Sequence, residues 1–165
     1  MTGRTWPPGR PLERVDLIVI HHSATADSGT LSWGAIERHH VQVNGWDAVG
    51  YHAGAELVRD TYQVLLGRPT NRTGAHTAGV DPRDGVRWNH KSLALCFVGD
   101  YDQTEPPDAL LEVAARRFLV PQLEAHGLGV EALVPHRDMA SKSCPGERFD
   151  MDRLRAVCLE TQRKG

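Results

Sequence analysis

Along this chain, short runs that are apolar at nearly every position alternate with longer stretches whose apolar residues recur every three or four places. The first pattern marks strands buried on both faces; the second marks helices with one face against a core. Val15-Asp16-Leu17-Ile18-Val19-Ile20-His21 is short, β-branched and apolar on both faces, and reads as a central strand. Leu93 to Val98 reads the same way. Tyr51 to Val58 and Thr61 to Leu66 predict two strands joined at Arg59-Asp60, and Val130 to Val134 a short strand leading into His136. A helix starts at about Ser32, its N-cap, with Trp33, Ile36, His40 and Val43 on one face and Gly45 to end it. A longer helix is expected from a Thr104 cap, with Pro106 and Pro107 in its first turn and Leu110, Val113, Ala114, Arg117 and Phe118 as its stripe. Pro121 lacks an N–H and predicts a kink or break near Leu119, and Gly127 and Gly129 end the helix. Asp150 caps a last helix that turns Met151, Leu154, Val157 and Cys158 inward.

Between these elements, Ser23 to Thr30 and residues 67 to 92 are rich in small, polar and turn-forming residues and read as surface loops. Strands and helices interleave, so the expected class is α/β: a single domain with a central mixed β-sheet flanked by helices. Residues 1–14, Pro- and Arg-rich, form an N-terminal arm, and residues 15–165 the folded domain.

Bulk composition narrows the function. A chain of 165 residues fits one domain, which buries roughly 70% of its unfolded surface on folding. Its three cysteines are an odd number and suggest no disulfide framework. Cys96 sits in an apolar run and Cys158 in a helix, where each reads as a small buried hydrophobe; Cys144, in a polar loop, does not. A net charge of −2 gives no footprint for nucleic acid. No stretch is apolar enough to span a membrane. The N-terminus lacks the apolar core of a signal peptide, so the expectation is synthesis in the cytoplasm and another route for any action outside it.

Chemistry concentrates at two places. His21-His22 ends the first strand, and His136-Arg137-Asp138 precedes Lys142-Ser143-Cys144-Pro145. Two imidazoles and a thiolate are donors zinc prefers, and three protein ligands leave a tetrahedral position open for water or substrate. The chain reads as a zinc hydrolase. Successive strand side chains point to opposite faces, so His21 and His22 cannot both reach one metal. Apolar residues on both sides leave the choice open.

Val19-Ile20-His21-His22-Ser23-Ala24-Thr25, Val49-Gly50-Tyr51-His52, Gly74-Ala75-His76-Thr77, Asn89-His90-Lys91-Ser92, and Pro135-His136-Arg137-Asp138 through Lys142-Ser143-Cys144-Pro145-Gly146 stand in an order and spacing that resembles the zinc amidases that cut peptidoglycan. That group comprises phage lysozyme-type N-acetylmuramoyl-L-alanine amidases and the peptidoglycan recognition proteins. The resemblance implies one Zn2+ per chain on His21, His136 and Cys144, with Tyr51 and Lys142 as catalytic residues. It also implies hydrolysis of the amide between N-acetylmuramic acid and L-alanine. His76 is left between two readings, along the substrate groove or structural in its loop. His22, His52 and His90 read as packing histidines, and His39, His40 and His126 as helix-surface or packing residues. Wall-recycling amidases carry a Glu in the strand where this chain has Cys96, which lowers that subtype. Non-catalytic recognition modules generally lose a zinc ligand, commonly the cysteine that is present here. The expectation is therefore a phage endolysin: a monomer acting on the glycan strand and stem peptide of peptidoglycan, reaching the periplasmic wall after holin release. A cytosolic recycling amidase and a non-catalytic recognition module are the alternatives.

Overall fold

The computed structural model describes residues 9–27 and 32–165. Five strands form one sheet in the order β3-β2-β4-β1-β5: β1 (Leu17–His22), β2 (Ala53–Val58), β3 (Thr61–Leu66), β4 (Ser92–Phe97) and β5 (Leu133–Pro135). β1 pairs in parallel with β4 and β5, and β2 in parallel with β4. β2 and β3 form an antiparallel hairpin through Arg59, whose φ is +61°. The sheet is mixed and the class α/β. β1 and β4 are buried at every position because each is flanked on both edges and covered on both faces.

The strand alternation divides the core. Ile18 and Ile20 of β1 with Leu93, Leu95 and Phe97 of β4 face the helical layer of α2 (Asp108–Ala114), α3 (Val120–Ala125) and α4 (Met151–Lys164). Leu17 and Val19 face the other way, against Trp88, and Cys96 meets Trp33 of α1 (Trp33–Arg38) on that same side. That second side also carries the long segment between β3 and β4. It is the side on which His21 emerges.

Several local expectations need revision. Thr104 does not cap the second helix: its hydroxyl donates to the Asp100 carbonyl, and Pro107 is the N-cap in an extended conformation. A residue before proline is pushed out of the α region, so the chain stays extended through Pro106-Pro107 and the helix starts at Asp108. Near Pro121 the helix does not stop. It widens into a π-turn over Ala115–Leu119 and continues as α3, with Pro121 in its first turn. A second π-turn, His39–Val43, extends α1. Ser32 is the N-cap of α1, but its side chain makes no capping bond; the buried Glu56 carboxylate accepts from the Ser32 and Trp33 N–H groups instead. Val130–Ala132 is a 3-10 turn, so β5 begins only at Leu133. Asp150 caps α4 as expected, accepting from the Asp152 and Arg153 N–H groups.

Residues 67 to 92 are more than surface loop. Arg68 is buried and donates to the Val49 and Thr73 carbonyls, and Lys91 is buried against Asp81 at 2.6 Å and Asp84 at 2.7 Å. The partners of these charges lie five to nineteen positions away, so local composition cannot reveal them. The arm, from Gly9 onward, is fastened to this segment: Pro11 bridges Arg72, whose guanidinium donates to the Gly9 carbonyl. Its first eight residues, and positions 28 to 30 of the first expected loop, lie outside the described residues.

Candidate active site

The site forms where β1 and β5 end. Because side chains alternate, His21 and His22 diverge. The His21 ring enters a cluster of rings, with centroids 4.4 Å from His136, 5.1 Å from Tyr51 and 5.2 Å from His76. His22 turns to the opposite side, where its Nδ1 accepts from the Tyr101 N–H. Of the histidine pair, it is thus His21 whose ring lies beside His136 and Tyr51.

His136 follows β5 directly, in a 3-10 turn over His136–Asp138. The loop that returns Cys144 to it is tied at several points. The Arg137 N–H donates to the Cys144 carbonyl at 2.7 Å, and the Arg137 guanidinium donates to the Gly146 carbonyl. Asp102 accepts from the Ser143 hydroxyl and the Glu147 N–H, both at 2.9 Å, so one carboxylate clasps both flanks of Cys144. Gly146 has φ +117°, and a Cβ there would lie 2.4 Å from the Tyr101 backbone, so glycine is required. The His22 N–H donates to Cys144 Sγ at 3.4 Å.

His21, His136 and Cys144, all buried, bring their donor atoms within 4.8 Å of one another and could hold a metal ion. The donor chemistry fits zinc. Tetrahedral Zn–N and Zn–S bonds of ordinary length place neighbouring ligand atoms roughly 3.5 Å apart, and His21 Nδ1 lies 3.7 Å from Cys144 Sγ. Burial, with the charges of neighbouring histidines, holds His21 well below the usual imidazole range; burial and the Lys142 charge lower His136. Both rings are therefore in the neutral, ligating form. Burial pushes the Cys144 thiol up to about 11, against the opposing pull of the His22 N–H and Lys142. A buried thiolate here calls for a cation beside it.

Tyr51, Lys142 and the three donor residues line a single cavity of about 480 Å³, together with Trp46 and His76. All five residues singled out from the sequence are thus brought together. Burial raises the Tyr51 phenol well above its ordinary range, with the thiols of Cys96 and Cys144 adding to it, so the hydroxyl keeps its proton. Lys142 is exposed on the loop before Cys144, and its charge reaches both His21 and His136.

The remaining histidines separate clearly. Both His52 ring nitrogens are used inside the core, Nδ1 accepting from the Ala94 N–H and Nε2 donating to the Arg72 carbonyl. His40 accepts from the Gly50 N–H and packs on Trp46. Two features had no firm sequence reading. His76 lines the cavity and also touches His21 at 3.2 Å, joining its two alternative readings. Asp102 carries no motif at all; only its contacts single it out.

Comparison with known proteins bears on this geometry. Residues 11–147 match the family model described as N-acetylmuramoyl-L-alanine amidase. The chain is 31% identical over 144 residues to the endolysin of Escherichia phage T7, covering 86% of this chain and 85% of that one. It is 30% identical over 148 residues to peptidoglycan recognition protein 1 of Bos indicus, covering 82% and 68%. Among solved structures, the N-acetylmuramoyl-L-alanine amidase LysC from Clostridium intestinale URNW shares the fold with a TM-score of 0.72 and 21% identity, covering 92% of this chain and 91% of that one.

Proposed function

The chain belongs to the N-acetylmuramoyl-L-alanine amidase family, and on that premise we propose that it hydrolyses the amide bond between N-acetylmuramic acid and L-alanine in peptidoglycan, using one zinc ion held by His21, His136 and Cys144. The observation that carries this reading is the convergence of those three donors with Tyr51 and Lys142 on one open cavity. A purely structural zinc site would be closed by a fourth protein ligand, and among the described residues the cluster offers three.

Zinc in such a site supplies a Lewis acid and lowers the pKa of water to about 7, which gives amide hydrolysis its nucleophile at neutral pH. The protein's own groups do the rest. The neutral imidazoles of His21 and His136 offer lone pairs, and the clasp of Asp102 and Arg137 keeps Cys144 in reach of them. Lys142 carries a fixed positive charge at the cavity, placed to meet negative charge as it develops on the scissile carbonyl oxygen. Tyr51, still protonated, donates a hydrogen bond to the attacking water or to the tetrahedral intermediate.

Similarity to the T7 endolysin, spanning most of both chains, supports the endolysin reading; to it we add the proposal that the enzyme is a monomer that lyses the wall from within and gains access through a holin. The presence of Cys144 inside the donor cluster favours catalysis over recognition alone. Digestion of purified sacculi tests the reaction. New L-alanine amino groups without new reducing sugar ends are expected, with activity abolished by a chelator and restored by zinc. New reducing ends would identify a glycosidase and overturn the assignment.

A further inference from the structure

His21 meets Cys144 through Nδ1, which leaves its Nε2 to be satisfied within the protein. That atom lies 3.2 Å from Nδ1 of His76, with the two rings edge to face at 84°. The contacts continue outward. His76 Nε2 lies 3.4 Å from the Ser92 hydroxyl, and that hydroxyl donates to the Trp88 carbonyl at 2.6 Å. A carbonyl can only accept, so it fixes the polarity of the series. Ser92 spends its single proton on Trp88 and presents lone pairs to His76. His76 therefore carries its proton on Nε2 and offers a bare Nδ1, which accepts from His21 Nε2–H and from the Thr77 hydroxyl 2.9 Å away. With its proton held on Nε2, His21 points an unprotonated Nδ1 at the donor cluster.

The His76 ring is held firmly enough to act this way. The N–H groups of His76 and Thr77 both donate to Asn89 Oδ1, at 3.1 and 3.0 Å. A Cβ at position 74 would lie 2.5 Å from His76 Cδ2 and 3.0 Å from His52 Cε1, so Gly74 leaves the room the ring occupies. Lys91, two residues beyond Asn89, is anchored by Asp81 and Asp84. Metal-binding histidines are almost always backed by a carboxylate, a backbone carbonyl or water. A neutral imidazole in that place directs the ligand while adding no charge to the site.

We propose that His76 is a positioning residue for zinc: by accepting from His21 Nε2–H it fixes the tautomer and ring orientation in which His21 binds the metal. The inference rests on the zinc site of the proposed function and adds a determinant of its affinity. Removing an outer partner of this kind typically weakens metal binding by about 10- to 100-fold.

The test is zinc affinity of the full chain, measured by competition with a fluorescent chelator, with the melting temperature of the metal-free protein as the control for folding. His76→Leu removes the acceptor and should weaken zinc binding by that factor; His76→Asn, whose Oδ1 stands near the position of Nδ1, should recover most of it. Wild-type affinity in a folded His76→Leu protein overturns the inference. Imidazole 15N spectra of zinc-loaded wild-type protein decide independently of whether any variant folds. His21 should be protonated at Nε2 and coupled through the hydrogen bond to an unprotonated Nδ1 of His76, and a proton on His76 Nδ1 overturns the assignment. A wild-type protein that binds no zinc sinks the amidase reading itself, whereas zinc bound equally tightly by wild type and His76→Leu sinks only the role of His76.

Discussion

Replacing Cys144 by alanine separates two things that its sulfur does. Sγ belongs to the donor cluster proposed to hold zinc, and it is also the acceptor for the buried His22 N–H. Structural zinc sites release roughly 10–16 kcal/mol from four ligands, so about 3 kcal/mol attends each donor, or a hundredfold or more in affinity. The second role is smaller. An unpaired N–H costs about 1–3 kcal/mol, and a weak sulfur acceptor at 3.4 Å belongs at the low end of that range. In a domain of this size a loss of about 1 kcal/mol lowers the melting temperature by about 2–4 °C. Cys144→Ala should therefore bind zinc at least a hundredfold more weakly and melt a few degrees lower even without metal. Cys144→Ser should lose zinc in the same way, because a hydroxyl is not deprotonated as a thiol is, yet its oxygen still accepts from His22. Its metal-free melting temperature should stay near that of the wild type. Chelator competition and calorimetry on metal-free protein measure the two effects separately. Wild-type zinc affinity in Cys144→Ala would refute the ligand assignment; equal metal-free stabilities of the two variants would refute the role given to His22.

Lys142→Ala should keep its zinc and bind sacculi while kcat falls about a hundredfold or more, the usual effect of losing a group that acts mainly in the transition state. Steady-state kinetics with near-normal turnover would leave Lys142 as a solvated loop residue. Tyr51→Phe should lower kcat by a smaller factor in the same assay, since it removes one hydrogen bond and no charge; a loss exceeding that of Lys142→Ala would contradict this ranking. His52 offers a pH test away from the site. Burial, only partly opposed by the Arg72 carbonyl, lowers its pKa from 6.5 to about 4 in the folded protein. With the folded value depressed, its stabilisation is complete above pH 6.5 and is lost as the pH falls toward 4, amounting to roughly 3 kcal/mol. The difference in unfolding free energy between metal-free wild type and His52→Leu should shrink by that amount between pH 7 and 4; a constant difference would show that His52 does not titrate in this way.

Much of this protein is written in local pattern. β1 and β4 are recognisable because a strand buried on both faces must be apolar at consecutive positions, and α4 because Asp150 stands one residue before an amphipathic run. The donor set is legible because few residue types bind zinc and the chain gathers them at two places. Even the irregularity before Pro121 follows from its missing N–H, although the form it takes, a π-turn and no break, goes with packing against α4.

What local pattern left open are choices among partners distant in sequence. The apolar faces of β1 hid which histidine faces the His136–Cys144 cluster, since that depends on which layer covers each side, and the layers are built from residues 33 to 158. His76 could be read as groove or scaffold until its ring met His21, 55 positions away. Cys144 reaches His21 across 123 positions, and Lys91 finds Asp81 only inside the folded segment. Most of the strands and helices, and the side chains able to donate to zinc, can be read along the chain, because backbone propensity and donor chemistry belong to single residues and their near neighbours. Which way each ring points, and what lies against each of its nitrogens, came from the fold, because those contacts join side chains far apart along the chain.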